Sequence, residues 1–388
     1  MKNSRIDRIL SYLLVALLSV TVTVAVMLGV FNAGQKGRSK LDVLEQLILE
    51  CYIEDADKTK MEDAAANAMV NALGDRWSYY IPASDFQAYQ EQMRNAYVGV
   101  GITIEMEENN QGICVLEVAE GGPAHEAGIQ PQDVIVKVNE TSILGMTSEE
   151  AKKLIQGQAN TTVALTALRD GQEVTFSVTR REIITPVAKA QLLEGKIGLI
   201  SIANFNSNCA TQTIAAIQDM QAKGAKMLVF DVRNNPGGYA EEMIKVLDYL
   251  LPEGKLFTQL DYTGKEHTTM SDANCVNLPM AVLVNAQSFS AAEFFGAALS
   301  EYDAATVVGE RTVGKGYFQN TFQLPDGSAV GLSVGKYYTP KGNSLEKVGI
   351  TPDVQIALSE EEAQLLYAGK LEATKDPQIL AAIQLFNN

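Results

Sequence analysis

The sequence predicts an α/β core with an inserted, smaller α+β module, preceded by a helical segment and a transmembrane helix. Three observations carry this reading. Beyond Thr185-Pro186, apolar strand patterns alternate with helical ones, as in a parallel sheet layered with helices. From Tyr97 to Thr179 the pattern is instead short, glycine-punctuated strands with two brief helices. From Ile9 to Phe31 the chain is apolar and uncharged, long enough at ~1.5 Å per residue to cross a ~30 Å hydrocarbon core as a helix. A length of 388 residues leaves room for two or three folded units.

Each element follows in order. Lys2, Arg5 and Arg8 precede the apolar run against one acid, Asp7, so residues 1–8 should stay cytoplasmic and everything after Phe31 should lie outside. A cleaved leader would end in an A-x-A-like site; Asn32-Ala33-Gly34 matches that poorly, so residues 9–31 read as a retained signal-anchor. Residues 35–95 form a helical segment. Leu41, Leu44, Leu47, Ile48 and Cys51 recur at helical spacing, and Thr59-x-x-Glu62 reads as a capping box for a second helix ending before Gly74. These apolar stripes could be core or could pair with a second copy; together with the tail, they make a homodimer the expectation.

Residues 96–183 form the strand-rich module. Its strands lie at 99–104, 113–118 and 133–139, with a hairpin about Asp170-Gly171. Its short helices lie at 124–127 and 148–156. Residues 184–358 form the α/β core. Strands at 197–202, 227–232, 281–284 and 305–308 alternate with helices at 211–223, 240–251 and 291–300, before a strand pair across Asp326-Gly327. Residues 359–388 read as a helical tail.

Composition excludes several chemistries. Lys plus Arg is 31 against 47 acids, a net charge of −16, so no basic footprint for nucleic acid exists. An acidic ectodomain has little attraction to anionic lipid, leaving the anchor as its hold on the membrane. Cys51, Cys114, Cys209 and Cys275 are far apart with no CxxC, which speaks against zinc ribbons and a disulfide framework. No cofactor and no metal site is expected. The two histidines, His125 and His267, flank no nucleophile-like turn, His267 reading as part of a polar loop. HExxH, G-x-S-x-G and P-loop patterns are all missing. Composition leaves a carboxylate-pair glycosidase open, but no acid spacing singles out such a pair.

One constellation remains. Ser290 directly precedes a helix beginning Ala291-Ala292-Glu293, where unpaired N–H groups and the helix dipole favour developing negative charge. An ordinary serine N-cap explains the same placement, and Ser288 reads as a turn residue. Lys315 lies between Gly314 and Gly316 in an otherwise apolar stretch. A desolvated lysine loses its proton more readily and can act as a general base without histidine; a surface lysine in a glycine turn is the plainer alternative. Gln319 would sit ~13 Å from Lys315 in a straight strand, so a bend at Gly316 is needed for both to meet one serine. The Asn235-Pro236-Gly237-Gly238 turn could aim glycine N–H groups at an oxyanion.

These residues resemble the C-terminal processing peptidases, or tail-specific proteases, a Ser/Lys family containing a PDZ domain. The likeness covers almost the whole chain. Leu73 to Tyr80 (LGDRWSYY) closes the helical segment, and Tyr97-Val98-Gly99-Val100-Gly101-Ile102 matches the PDZ carboxylate loop. Asp231 to Gly238 (DVRNNPGG), Ser288 to Glu293 (SFSAAE), Gly309 to Gly316 (GERTVGKG), Tyr337 to Pro340 and Gly349 to Asp353 follow in register. The resemblance implies a crotonase-like ββα protease core, a Ser290 nucleophile, a Lys315 base and Gln319 as its orienting partner. It places the oxyanion hole at the backbone of Gly237, Gly238 and Ala291, and substrate carboxylate binding at Val98, Gly99, Val100, Gly101 and Ile102. The expected partners are protein or peptide substrates with free C-termini, cleaved outside the cytoplasm of a bacterial cell by a single-pass membrane protein. Phe289, Ala292, Tyr317 and Phe318 depart from the family pattern, which puts substrate preference rather than mechanism in doubt. The alternative is a PDZ peptide-binding adaptor with an inactive core.

Overall fold

The computed structural model describes residues 14, 17–24, 39–107 and 111–386. It divides into two units, residues 1–80 and 81–388.

In the first unit, helix Lys40–Cys51 starts from a capping box between Ser39 and Asp42. Helix Lys58–Asn71 is capped by Asp57, which accepts from the Lys60 N–H at 3.1 Å. The helix therefore starts two residues before the capping box expected at Thr59, from a simple Asp57 cap, and Glu62 instead pairs with Lys58 at 2.9 Å. Leu41, Leu44, Leu47 and Leu49 are exposed. Residues 17–24 are helical with exposed side chains; most of the predicted 9–31 span lies outside the described residues. No helix among the described residues is long and apolar enough to cross a membrane.

Within the second unit, the strand-rich module is an antiparallel sheet. Its order is Ile102–Met106, Ile113–Val118, Val134–Val138, Thr162–Arg169 and Gln172–Thr179. Ile113, Val115, Ile135, Leu165 and Val178 fill its core. The predicted hairpin is present, with φ positive at both Asp170 and Gly171, as a type I′ turn requires. Strand Ile102–Met106 is an edge, bonded among the described residues only to Ile113–Val118. Helix Ser148–Ile155 opens on a Thr147–Glu150 capping box and ends on the buried Arg180, which donates to Ile155 O at 2.7 Å. Strands Ala96–Gly99 and Arg181–Ile184 pair as a neck.

The core sheet runs Ala188–Leu193, Ile197–Ile202, Met227–Asp231, Met280–Val284, Ala305–Gly309, Val354–Gln355, parallel except at its first pair. Alternate residues serve two faces. Leu228, Phe230, Val282 and Val284 pack among helices Cys209–Ala222, Ala240–Leu250 and Ala291–Glu301. Val229, Ala281, Leu283 and Val308 pack against Ile379 and Ala382 of helix Pro377–Gln384. Of the two helices in the tail expected to serve self-association, Pro377–Gln384 is engaged in covering this second face, whereas Glu360–Tyr367 has no buried residue. A hairpin the sequence reading missed, Gly254–Asp261 with Glu266–Ser271, joins strands Ala329–Tyr338 and Tyr317–Gln323 in another sheet. His267 lies on that hairpin, not in a loop. All four cysteines are free thiols.

Candidate active site

The wholly buried strand Met280–Val284 delivers the chain into the turn before Ser290. Two asparagines lock this turn to its neighbour. The Asn234 N–H donates to Asn285 Oδ1 at 2.9 Å, and Asn285 Nδ2 returns a bond to Asn234 Oδ1 at 2.8 Å. Ser288 Oγ donates to Val232 O at 2.7 Å and accepts from the Asn285 N–H at 3.0 Å. Fully buried, Ser288 is a brace of the turn, as its sequence position suggested. The Phe289 N–H donates to Asn235 O at 3.1 Å.

At Ser290 the backbone reverses sharply, with φ 58° and ψ −125°. An L-residue adopts such values only when its surroundings impose them. Here Glu293 does so. Its carboxylate is fully buried and accepts from the Ser290 N–H at 2.9 Å, Thr312 Oγ1 at 2.5 Å, the Gly314 N–H at 2.7 Å and the Lys315 N–H at 2.8 Å. The Ser290 and Lys315 amides share one oxygen, Oε2. Sequence reasoning gave Glu293 no role, although Ser-x-x-Glu at a helix start was the signal that could have found it.

Lys315 is half-buried, with Nζ 5.9 Å from the centre of the Phe289 ring, within cation–π range. Its flanking glycines are required by close approach. A Cβ at Gly316 would lie 2.6 Å from the Glu346 nitrogen, and one at Gly314 2.9 Å from the Val348 nitrogen. The Gly316 N–H donates to Glu346 Oε2 at 2.9 Å, bracing the segment from behind. Lys315 and Gly316 precede strand Tyr317–Gln323, and the strand itself carries a bulge between Phe318 and Gln319, so Lys315 and Gln319 do not share one straight strand. Its Nε2 donates to Ser333 Oγ at 3.0 Å, which leaves Oε1 as the acceptor.

The glycine turn packs directly against the serine: a Cβ on Gly237 would lie 2.8 Å from Ser290 Cβ. The Gly237 N–H expected to face an oxyanion instead donates to Asn235 Oδ1 at 2.8 Å. The Gly238 and Ala291 N–H groups have no partner among the described residues, so these two remain available. Arg233, at the start of the same turn, has a side chain only 1% exposed and pairs with Asp231 at 2.6 Å and Asp376 at 2.8 Å. Burial opposes its charge, but the two carboxylates outweigh this and hold the guanidinium's pKa above its usual value. Burial pushes the nearby core thiol of Cys209 up to about 12, which leaves it no nucleophile at neutral pH.

The module's expected carboxylate loop lies apart from these residues in sequence and fold. Val98 and Gly99 belong to the neck ladder opposite Glu182 and Arg181, which leaves Val100, Gly101 and Ile102, the first residue of the edge strand, as the segment that turns between the two strands. The carbonyls of Val100 and Gly101 accept from Ala124 and Ala119 N–H groups at 2.8 and 2.9 Å. Gly101 has φ +81°.

The pattern of peptidase family S41 matches residues 196–356, and a PDZ domain pattern matches residues 99–179. The carboxy-terminal processing protease CtpA of Bacillus subtilis is 33% identical over 357 residues, covering 88% of this chain and 76% of that protein. The chain belongs to peptidase family S41. A probable CtpA-like serine protease of Staphylococcus aureus is also 33% identical, over 84% of this chain; the alignment spans 66% of that relative's length, just under two thirds. Among solved structures, the photosystem II D1 C-terminal processing protease is similar at 30% identity, covering 83% of this chain and 87% of that one with a TM-score of 0.47. Ser290, Lys315, Gln319 and the glycine turn all fall inside the S41-matched stretch, and Gly99 to Ile102 open the PDZ-matched one.

Proposed function

We propose that this S41 protein is a membrane-anchored serine endopeptidase that cleaves extracytoplasmic proteins near their C-termini. The observation that supports it best is Glu293, whose one oxygen holds the backbone of both Ser290 and Lys315. Two residue types able to act as nucleophile and base are thereby fixed on adjoining loops before any substrate arrives.

In this reading neutral Lys315 Nζ removes the Ser290 Oγ proton as Oγ attacks the scissile carbonyl. The oxyanion forms against the Gly238 and Ala291 N–H groups, the latter at a helix N-terminus. The lysine ammonium then protonates the leaving amine, and the same lysine activates water to hydrolyse the acyl-enzyme. Gln319 Oε1 accepts from the lysine and orients it. Phe289 covers one side of Nζ.

The PDZ loop Val100–Ile102 receives the substrate's free carboxylate, and the open edge Ile102–Met106 takes the peptide as an added strand. Residues 9–31 anchor the protein in a bacterial cell membrane with the catalytic part outside, and the exposed leucine stripe of Lys40–Cys51 pairs with a second copy. Sedimentation of the protein lacking its first 38 residues tests the last point; a monomer at micromolar concentration contradicts it. The activity itself is tested by incubating the protein with free-acid peptides and locating cuts by mass spectrometry, with Ser290→Ala as control. Binding of such peptides without any cleavage would favour the adaptor reading.

A further inference from the structure

We propose that Asn95 and Asn204 form a joint through which the PDZ neck sets the position of the Gly238 N–H, making Asn204 a positioning residue for the oxyanion site. The proposal rests on the reading of Gly238 and Ala291 given above. The two amides pair reciprocally: Asn95 Nδ2 donates to Asn204 Oδ1 at 2.9 Å, and Asn204 Nδ2 donates to Asn95 Oδ1 at 3.0 Å.

On one side of the joint stands the neck. Asn95, 6% exposed and left-handed at φ 48°, ends helix Ala83–Arg94 and immediately precedes strand Ala96–Gly99. Its carbonyl accepts from the Thr185 N–H at 2.7 Å, just beyond the returning strand Arg181–Ile184. The chain entering the PDZ module and the chain leaving it therefore meet on one residue.

On the other side stands the glycine turn. Asn204 Oδ1 accepts a second bond, from the Asn206 N–H at 3.0 Å. The Phe205–Asn206 peptide so held lies directly against Gly238, where a Cβ would come within 2.3 Å of Phe205 C and 2.6 Å of the Asn206 nitrogen. Phe205 also brackets the turn, donating its N–H to Gly237 O at 2.7 Å and accepting from the Tyr239 N–H at 2.8 Å. No side chain intervenes to absorb a shift, so a displacement at Asn204 reaches Gly238 through hydrogen bonds and van der Waals contact alone.

The test uses the full chain in detergent, a free-acid peptide and its C-terminally amidated twin. Asn204→Ala should lower kcat about tenfold or more, with KM within about twofold, because sub-ångström misplacement of an oxyanion donor acts on the transition state. Asn95→Ala should act in the same direction and lower the acid-to-amide ratio of kcat. The double variant should lose less than the two single losses combined, since both remove the shared amide pair, while each also removes a bond of its own: Asn95 Nδ2 to Ser207 O at 2.9 Å and the Asn206 N–H to Asn204 Oδ1 at 3.0 Å. A merely structural pair would lower the melting temperature and leave kcat of the folded protein and the ratio unchanged; that result overturns the proposal. Should Asn204→Ala not fold, Asn95→Ala decides by the same kcat measurement, because it leaves the Asn204–Asn206 bond in place. Cleavage by Ser290→Ala would instead sink the catalytic reading on which the joint depends, so the two failures are distinguishable.

Discussion

The turns around Ser290 and the loop Val100–Ile102 are both glycine-containing ends of strands, yet they are built in opposite ways. Around Ser290, the side chains of Asn234, Asn235, Asn285, Ser288 and Glu293 bond backbone or one another at 2.7–3.0 Å across three loops. At Val100–Ile102 no side-chain bond braces the loop among the described residues, and the strand that follows has an open edge. A reacting geometry must be fixed before substrate binds, because reorganisation during the reaction raises the barrier. In the proposed reading the loop Val100–Ile102 is completed by its ligand, whose carboxylate and backbone would supply the missing partners.

The largest effect should come from the braced region. Ser290→Ala should lower kcat by ~10⁴-fold or more in a peptide-cleavage assay while leaving the melting temperature near wild type. Ser288→Ala should do the reverse, weakening stability by about 1–3 kcal/mol through the bonds lost at Asn285 and Val232. If Ser288→Ala is dead and Ser290→Ala fully active, the assignment fails. Lys315→Ala and Lys315→Arg should both be inactive, since a guanidinium cannot serve as a base at neutral pH. His125→Ala and His267→Ala should keep activity within about twofold, both residues being exposed. Glu293→Gln preserves shape but replaces an acceptor by an amide among four donors, and kcat should fall ~10–100-fold as Ser290 and Lys315 lose register.

The open region should show smaller effects. If the loop takes the substrate's free carboxylate as proposed, amidating the C-terminus removes a charge-assisted bond and should weaken binding ~10-fold; deletion of residues 96–183 should erase the difference. The smallest effect on rate should follow Asp133→Asn. Burial alone would push the Asp133 carboxyl up, but hydrogen bonds from Arg169 and the Gln130 N–H outweigh it and hold its pKa below the usual range. A depressed carboxylate stabilises the fold above its unfolded pKa of ~3.9, and that contribution is lost as pH falls through the lower folded value. Protection of PDZ amides against hydrogen exchange should therefore drop by about 2 kcal/mol at pH 7 in the variant. That is below the ~3–5 kcal/mol of a fully buried pair because Arg169 reaches water. The gap should close as the pH is lowered past 3.9.

The two regions also differ in how much could be read from residues alone. The Asp170-Gly171 hairpin, the buried Met280–Val284 strand and the turn role of Ser288 were legible because each depends on neighbours close in sequence. The Gly254–Asp261 hairpin was not, because its partner strand Glu266–Ser271 is polar and lacks apolar alternation. Thr59 and Glu62 matched a capping pattern, but Asp57, an equally strong N-cap two residues earlier, took that place. The engagement of the Gly237 N–H by Asn235 was a local Asx interaction open to inference from Asn-Pro-Gly. Arg233's reach to Asp376 and the placement of Gln319 by a bulge depend on tertiary partners, which no spacing encodes.

The central claim is that Ser290 is a nucleophile activated by Lys315, and adduct mapping tests it most directly. Wild-type protein treated with a fluorophosphonate should carry one phosphonyl group on the peptide containing Ser290, formed faster as the pH is raised. Lys315→Arg should label at a small fraction of that rate. An adduct on another residue, or equal labelling of Lys315→Arg, would contradict the account.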